Sequence, residues 1–230
     1  MKNPFAAERP ASHTLRVLAR LLSYPDAVLR EHAADMARVL AAEGALSPAR
    51  AGELGQLLLR LARRPALAVE AEFVELFDRG RSTSLHLFEH VHGDSRERGP
   101  AMIDLVRTYE QAGLLLREDE LPDHLGVLLE YASTQPPAQA RALLAETAHI
   151  LRAIFSALLQ KGSPYASVLA AVLELAGERA EAVAVAEDEP LDESWEEPAV
   201  FGGCSTAGQS RPAPPQPVRI VRSASSGAQP

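Results

Sequence analysis

Prolines and glycines divide residues 1–180 into short segments whose leucines recur at helical spacing. In one segment Leu15, Leu18 and Leu22 stand three and four positions apart, which places them on one face of an α-helix. Proline is tolerated in the first turn of a helix but not in its interior, and glycine is favoured just past the end. The positions of the prolines and glycines, together with the leucine spacing, predict a series of amphipathic helices joined by short loops.

Individual residues fix several of the predicted helix ends. Ser12, Asp26 and Ser47 can each accept a hydrogen bond from the first free amides of a helix. Gly44 suits the left-handed position that ends one. The predicted helices cover residues 12–23, 27–43, 48–63, 66–78, 100–112, 137–160 and 164–177, with a further helix opened by Pro122 and a short helix or turn at 83–92.

The apolar composition agrees with this pattern. Hydrophobic residues make up 47% of the chain but aromatic residues only 5%, because alanine and leucine, both strong helix formers, dominate. The sequence contains no long alternating run of the β-branched and aromatic residues that strands favour. We therefore predict an all-α fold, a compact domain of about seven to nine helices.

The sequence changes character after residue 180. Residues 177–200 contain nine acids and one base, and the residues that follow are rich in proline, serine and alanine. Such segments bury too little apolar surface to offset the entropy of ordering. We predict a helical domain over residues 1–180 and a largely disordered tail over 181–230, acidic and then Pro/Ser-rich. A sharper hypothesis is that Trp195 and its acidic neighbours cover a binding groove until a partner displaces them.

Charge and cysteine content exclude several classes of function. The formal net charge of −8 argues against a general nucleic-acid-binding protein. The single cysteine, Cys204, forms neither an internal disulfide nor a zinc cluster, which favours a reducing compartment. The N-terminus lacks the apolar region of a signal peptide, and no apolar run is long enough to span a membrane. These features predict a cytoplasmic protein without direct membrane insertion.

Histidines around Glu89 raise the possibility of a metal site. His86 and His90 are four positions apart, a spacing that can place two imidazoles on one helix face. A metalloprotease helix requires a glutamate directly after the first histidine, but Leu87 stands there. We interpret the histidines as polar groups of a helix or turn, and an enzyme with a His/Glu metal site remains an alternative.

The chemistry around these histidines also fits a peptide-binding surface. A helical domain binds a peptide helix through an apolar groove with charged edges. Arg96 and Arg98 precede a predicted helix, so they could bind nearby carboxylates, with Asp123 and Glu130 as the candidates. Glu120 and Asp123 open the helix after Pro122, where they could cap it, accept a basic peptide, or do both.

Three segments resemble one family. Residues 84–114, "SLHLFEHVHGDSRERGPAMIDLVRTYEQAGL", are similar to the long signature of the NarJ-type nitrate reductase assembly chaperones. "ELPDHLGVLLEYAS", residues 120–133, resembles the short motif of the wider TorD/DmsD/NarJ family, and "LLSYPD", residues 21–26, the end of its first helix. "SWEEPAVFGG", residues 194–203, is similar to the NarJ tail.

The resemblance implies a cytoplasmic, all-helical chaperone that is not an enzyme and needs no cofactor of its own. Such a chaperone binds the N-terminal segment of the apo catalytic subunit of membrane-bound respiratory nitrate reductase. It holds that subunit until the molybdenum cofactor is inserted and the complex docks at the membrane. A generic peptide-binding adaptor for another molybdoenzyme is the alternative, and both a monomer and a helix-swapped dimer remain open. The expected client-binding residues are Glu89, His90, Arg96, Arg98, Glu120, Asp123, His124, Leu128 and Tyr131.

Overall fold

The computed structural model describes residues 10–93, 95–118 and 120–185. Within these ranges the secondary structure is helical, and the predicted all-α fold is confirmed. The α-helices are α1 (Ser12–Leu21), α2 (Ala27–Glu31), α3 (Ala33–Glu43), α4 (Pro48–Arg63), α5 (Ala66–Phe77), α6 (Leu87–Val91), α7 (Arg98–Gln111), α8 (Leu125–Thr134), α9 (Pro137–Glu146), α10 (Ala148–Gln160) and α11 (Ala166–Ala176), with a short 3₁₀ helix at Arg81–Thr83.

Two predicted helices are each divided in the structure. The segment predicted over 27–43 is interrupted at His32, and the segment predicted over 137–160 is interrupted at Thr147. Thr147 donates its hydroxyl to the carbonyl of Leu144 at 3.1 Å, and α9 and α10 are bent by 65° about this point. The divided helices account for the larger number of helices than the sequence predicts.

Asp26, Ser47 and Gly44 occupy the helix ends that the sequence predicts for them, but Ser12 does not. The Asp26 carboxylate accepts from the Leu29 amide at 2.8 Å, and Gly44 ends α3 with φ of 61°. Ser12, however, is the first residue of α1 and does not cap it. The Glu43 carboxylate accepts from the amides of His13 and Thr14 instead, so α1 is capped from the end of α3.

The core is built around α11, which contacts α1, α4, α9 and α10. Its central residues are fully buried, and α1 and α8 form another extensive contact beside it. By contrast α7 buries only Tyr109 among its 14 residues. The helical core therefore leaves α7 as a peripheral helix.

The chain leaves α11 along the surface of α10. The Arg152 guanidinium donates to the carbonyl of Arg179 at 3.3 Å, and the Val183 amide donates to the Ser156 hydroxyl at 2.9 Å. The predicted tail from residue 186 onward, with Trp195 and Cys204, lies outside the described residues. No single described helix is both long and apolar enough to cross a membrane.

Candidate functional site

The two motif segments meet in an antiparallel bridge between His86 and His124. The Leu87 amide donates to the Asp123 carbonyl at 3.0 Å, and the Leu125 amide donates to the Leu85 carbonyl at 2.8 Å. These bonds place the first turns of α6 and α8 side by side. We call this contact the motif joint.

Asp123 lies at the centre of the motif joint with its side chain fully buried. One carboxylate oxygen accepts from the Phe88 amide at 3.2 Å, and the other is 3.3 Å from Nδ1 of His86. Asp123 therefore caps α6 and not α8, because its carboxylate is turned toward the preceding motif. Buried in this way, it offers no surface oxygen to a peptide.

Arg98 completes the charge balance of the motif joint. Its guanidinium lies 3.7 Å from the Asp123 carboxylate and 3.5 Å from that of Glu89. Of the two carboxylates considered for the arginines, Arg98 therefore approaches Asp123, whereas Glu130 lines a groove described below. Arg96 is exposed in the turn before α7.

The protonation states of His86 and Asp123 favour an ion pair. Burial opposes ionisation of Asp123, but hydrogen bonds from His86 and from the Phe88 amide, together with the charge of Arg98, hold its pKa below 3.8. The hydrogen bond to Asp123 raises the pKa of His86 above 6.5, although burial opposes this. The pair therefore stabilises the motif joint most strongly in mildly acidic to neutral solution.

His124 occupies the N-cap of α8, and its ring accepts a hydrogen bond. Nδ1 of His124 accepts from the Gly126 amide at 3.1 Å, which requires an unprotonated nitrogen. Burial, followed by the charge of His86, lowers the pKa of His124 to about 4. A neutral His124 thus provides the cap that the sequence suggested for Asp123 or Glu120.

The remaining polar residues of α6 are engaged locally. His90 places Nε2 2.9 Å from the Ser84 carbonyl, and the Ser84 hydroxyl donates to the Glu89 carboxylate. His86 precedes α6 in extended conformation, so it does not share a helix face with His90. Among the described residues, no group of three or more His, Cys, Asp or Glu side chains is arranged to hold a metal ion.

A groove of about 440 Å³ opens beside α8 and the loop that follows α7. Tyr109 and Tyr131 meet at its base with ring centroids 5.0 Å apart, and Leu115 is 87% exposed at its edge. We call it the Tyr131 groove. Its lining residues are Arg16, Tyr109, Leu114, Leu115, Leu116, Glu120, Val127, Glu130, Tyr131, Ser133 and Thr134.

A second, almost wholly apolar groove of about 350 Å³ runs along α7. Met102, Ile103 and Val106 form one side, and Leu121 and Pro122 form the other. The Tyr109 hydroxyl donates to the Pro122 carbonyl at 2.8 Å. Since Tyr109 lines the first groove and Pro122 the second, this bond lies between them and holds the end of α7 to the loop before α8.

The structure thus separates the predicted site residues into groups. Glu89, His90, Arg98, Asp123 and His124 belong to the motif joint, whereas Glu120 and Tyr131 line the Tyr131 groove. Leu128 is 3% exposed and lies in the core beneath the surface.

Four residues of the groove were not predicted from the sequence as site residues: Arg16, Tyr109, Leu115 and Val127. Two signals could have found part of the groove. One is the run of three leucines in a loop after Gly113, and the other is the helical spacing of Val127, Glu130, Tyr131 and Thr134.

Comparison with known families places these features in context. The family described as nitrate reductase delta subunit matches residues 41–171, a range that contains α6, α7, α8 and the motif joint. The chain belongs to the nitrate reductase delta subunit family. This confirms the membership that the motifs suggested.

Named relatives of this delta subunit family member support the same assignment. The Escherichia coli K12 nitrate reductase molybdenum cofactor assembly chaperone NarJ is 44% identical over 193 residues, covering 80% of this chain and 82% of NarJ. A Bacillus subtilis protein, named as a probable NarJ chaperone, is 34% identical over 169 residues, covering 72% of this chain and 91% of its own. Both are named as assembly chaperones and not as enzymes.

A solved structure shows the same fold at lower sequence identity. An Archaeoglobus fulgidus protein, described as a candidate redox enzyme maturation protein, aligns with a TM-score of 0.52 and 20% identity. The alignment covers 77% of this chain and all of that one. At this identity the likeness concerns the fold alone.

Proposed function

We propose that this chain is an assembly chaperone for a respiratory nitrate reductase. It holds the apo catalytic subunit in the cytoplasm while the molybdenum cofactor is inserted, before the complex docks at the membrane. Membership of the delta subunit family and the names of its relatives support this role. The two relatives match 80% and 72% of this chain, so the proposal concerns the helical domain as a whole.

The observation that carries the proposal is the Tyr131 groove. Leu115 is 87% exposed, and the groove behind it is lined by aromatic and aliphatic side chains with carboxylates beside them. A concave apolar surface with a polar edge is the arrangement by which helical domains bind an amphipathic peptide helix. We assign to this groove the N-terminal segment of the catalytic subunit.

The motif joint contributes to this binding indirectly. Asp123, His86 and Arg98 fix the starts of α6, α7 and α8, and α7 and α8 carry the two tyrosines at the base of the groove. Their role in the proposal is to position the groove walls. Tyr131 and Glu120 make the direct contacts, and His124 holds the first turn of α8 in place.

A holding chaperone must bind its client and then release it. An interface of about 1,200–1,600 Å² in total is of standard size for a specific protein contact. Dissociation constants in the micromolar range, about −8 kcal/mol, allow both occupancy and release. We expect one-to-one binding in that range.

Calorimetric titration of the full chain tests the proposal. The probe is a synthetic peptide of about 20 residues, long enough for a helix of about 30 Å, taken from the N-terminus of the nitrate reductase catalytic subunit of the same genome. A scrambled peptide of equal composition is the control. Saturable binding of the native peptide alone supports the proposal.

Other outcomes identify the alternatives. Equal binding of native and scrambled peptides would indicate a generic adaptor. Preference for the N-terminal peptide of another molybdoenzyme would keep the chaperone role but change the client. Stoichiometric metal in tag-free protein, lost in His86→Ala, would favour an enzyme with a metal site.

A further inference from the structure

Two carboxylates, those of Glu120 and Glu130, line the Tyr131 groove. Within the described part of the chain, neither carboxylate accepts a hydrogen bond or lies within ion-pair distance of a cation. This distinguishes them from Glu43, Glu72 and Glu174, whose carboxylates accept hydrogen bonds from amides, arginines or a serine. The groove therefore contains negative charge that the described residues leave unpaired.

The electrostatics of Glu130 agree with this geometry. Burial raises its pKa above 4.5, and the nearby charge of Glu120 raises it further. Arg16 and Arg117 act in the opposite direction but do not cancel these effects. Arg16 also directs its Nε to the Ser133 hydroxyl at 3.2 Å, so part of its hydrogen-bonding capacity is used there.

The surroundings of Glu130 suit a long cationic side chain. Val127, Glu130, Tyr131 and Thr134 follow one another at helical spacing along α8, so the carboxylate shares the groove wall with the apolar surfaces of Val127 and Tyr131. Lysine and arginine bury an aliphatic stem against apolar surface while their charged ends reach polar groups. A cation there can also contact the face of a tyrosine ring.

We propose that the Tyr131 groove selects a helical client segment carrying a lysine or arginine whose charged group lies between Glu120 and Glu130. Apolar side chains one turn away on the same segment contact Leu115 and Val127. The inference rests on the proposed function, and it adds the feature by which the groove distinguishes its client from other amphipathic helices.

The test compares charge-neutral variants of the full chain in calorimetric titration with the native N-terminal peptide. The double variant Glu120→Gln/Glu130→Gln removes both charges at nearly constant shape. Glu118→Gln is the matched control, because Glu118 is exposed in the same loop but does not line the groove. Thermal unfolding of each variant verifies that the fold is retained.

We expect the double variant to bind about 3- to 30-fold more weakly than the wild type at low salt, and the control to bind equally well. The difference should shrink at about 1 M salt, because exposed charges are then screened. Replacing each lysine or arginine of the peptide by glutamine in turn should identify one position whose loss abolishes the difference. Glu130→Lys should regain affinity for a peptide with glutamate at that position.

Two results would overturn the inference, and they are distinguishable. If the wild type binds the native peptide and the double variant binds it with the same affinity, the carboxylates do not select the client, while the proposed function stands. If the wild type binds no N-terminal peptide at all, the proposed function fails and the inference fails with it.

Discussion

The Asp123 carboxylate accepts a hydrogen bond from the backbone amide of Phe88 at 3.2 Å, although 35 positions separate the two residues in the chain. A free amide in the first turn of α6 is thereby satisfied by a residue from the start of α8. The same carboxylate pairs with His86 and approaches Arg98. One buried side chain thus joins the starts of three helices.

Asp123→Asn should destabilise the protein by about 2 to 3 kcal/mol, because the buried negative charge is lost and one of the two acceptor oxygens is replaced by an NH2 donor. Urea unfolding at pH 7 measures the difference in free energy of unfolding between the variant and the wild type. Asp104→Asn on the exposed surface of α7 is the matched control and should change stability by less than about 0.5 kcal/mol. Equal effects of the two substitutions would show that the charge of Asp123 is not needed.

The contribution of His86 should depend on pH. Because the folded state raises its pKa, the stabilisation is complete below pH 6.5 and is lost as the pH rises through the folded-state pKa. His86→Gln should therefore cost more stability at about pH 6 than at about pH 9. Urea unfolding of both proteins at the two pH values is the measurement, and a larger cost at the higher pH would contradict the ion pair with Asp123.

His124 should make the stability of the fold depend on pH in the opposite direction. Its pKa falls from 6.5 to about 4 on folding, so stability is full above pH 6.5 and declines as the pH falls toward 4. The decline from this residue is at most about 3 kcal/mol. His124→Asn keeps an acceptor for the Gly126 amide but does not titrate, so the difference in stability between variant and wild type should move in favour of the variant across this range. A constant difference would refute the assignment of a neutral histidine.

Removing the Tyr109 hydroxyl should loosen α7. Tyr109→Phe leaves the Pro122 carbonyl without this donor, and we expect a loss of about 1 kcal/mol with faster amide hydrogen exchange in α7. Hydrogen exchange followed by mass spectrometry measures the exchange rates of the α7 amides separately from those of the core. Tyr131→Phe is the control, since it alters the same pair of rings but not the bond to Pro122. Unchanged exchange in α7 of Tyr109→Phe would show that the bond from Tyr109 to Pro122 does not hold this helix.

Leu115 should matter for client binding but not for folding. Because its side chain is 87% exposed, Leu115→Ser should change the free energy of unfolding by less than about 0.5 kcal/mol. It should weaken binding of the N-terminal peptide by about 5-fold or more, through lost apolar contact. Leu67→Ser, at a residue 78% exposed on α5, is the matched control. Equal affinity of both variants for the peptide would place the client elsewhere.

Helices with strong local signals were predictable from the sequence. The bounds of α4, Pro48–Arg63, agree with the prediction because a serine cap, a proline and periodic leucines all act within that segment. The break at Thr147 was not predicted, since no proline or glycine marks it, and α9 and α10 each contact α11 on either side of it. The cap of α1 was missed for a similar reason, because Glu43 reaches it from another helix.

The candidate site was predictable only in part. The approach of Arg98 to Asp123 was predicted from the sequence, and in the structure the two side chains lie 3.7 Å apart. The sequence did not reveal that Asp123 is turned inward, because this depends on the pairing of residues 85–87 with 123–125. Arg16 was missed because α1 is distant in sequence from the rest of the groove, and only the packing of α1 on α8 brings it there.

The antiparallel bridge at the motif joint has a consequence for how such chaperones can diversify. Its backbone hydrogen bonds bring residues 87 and 123 together, so the intervening excursion, which includes α7, starts and ends at one point. Connections whose ends are held close tolerate changes in length and sequence with little disturbance of the core. The groove residues within this excursion, such as Leu115, can therefore differ between chaperones with different clients, while the helical scaffold that carries them is retained.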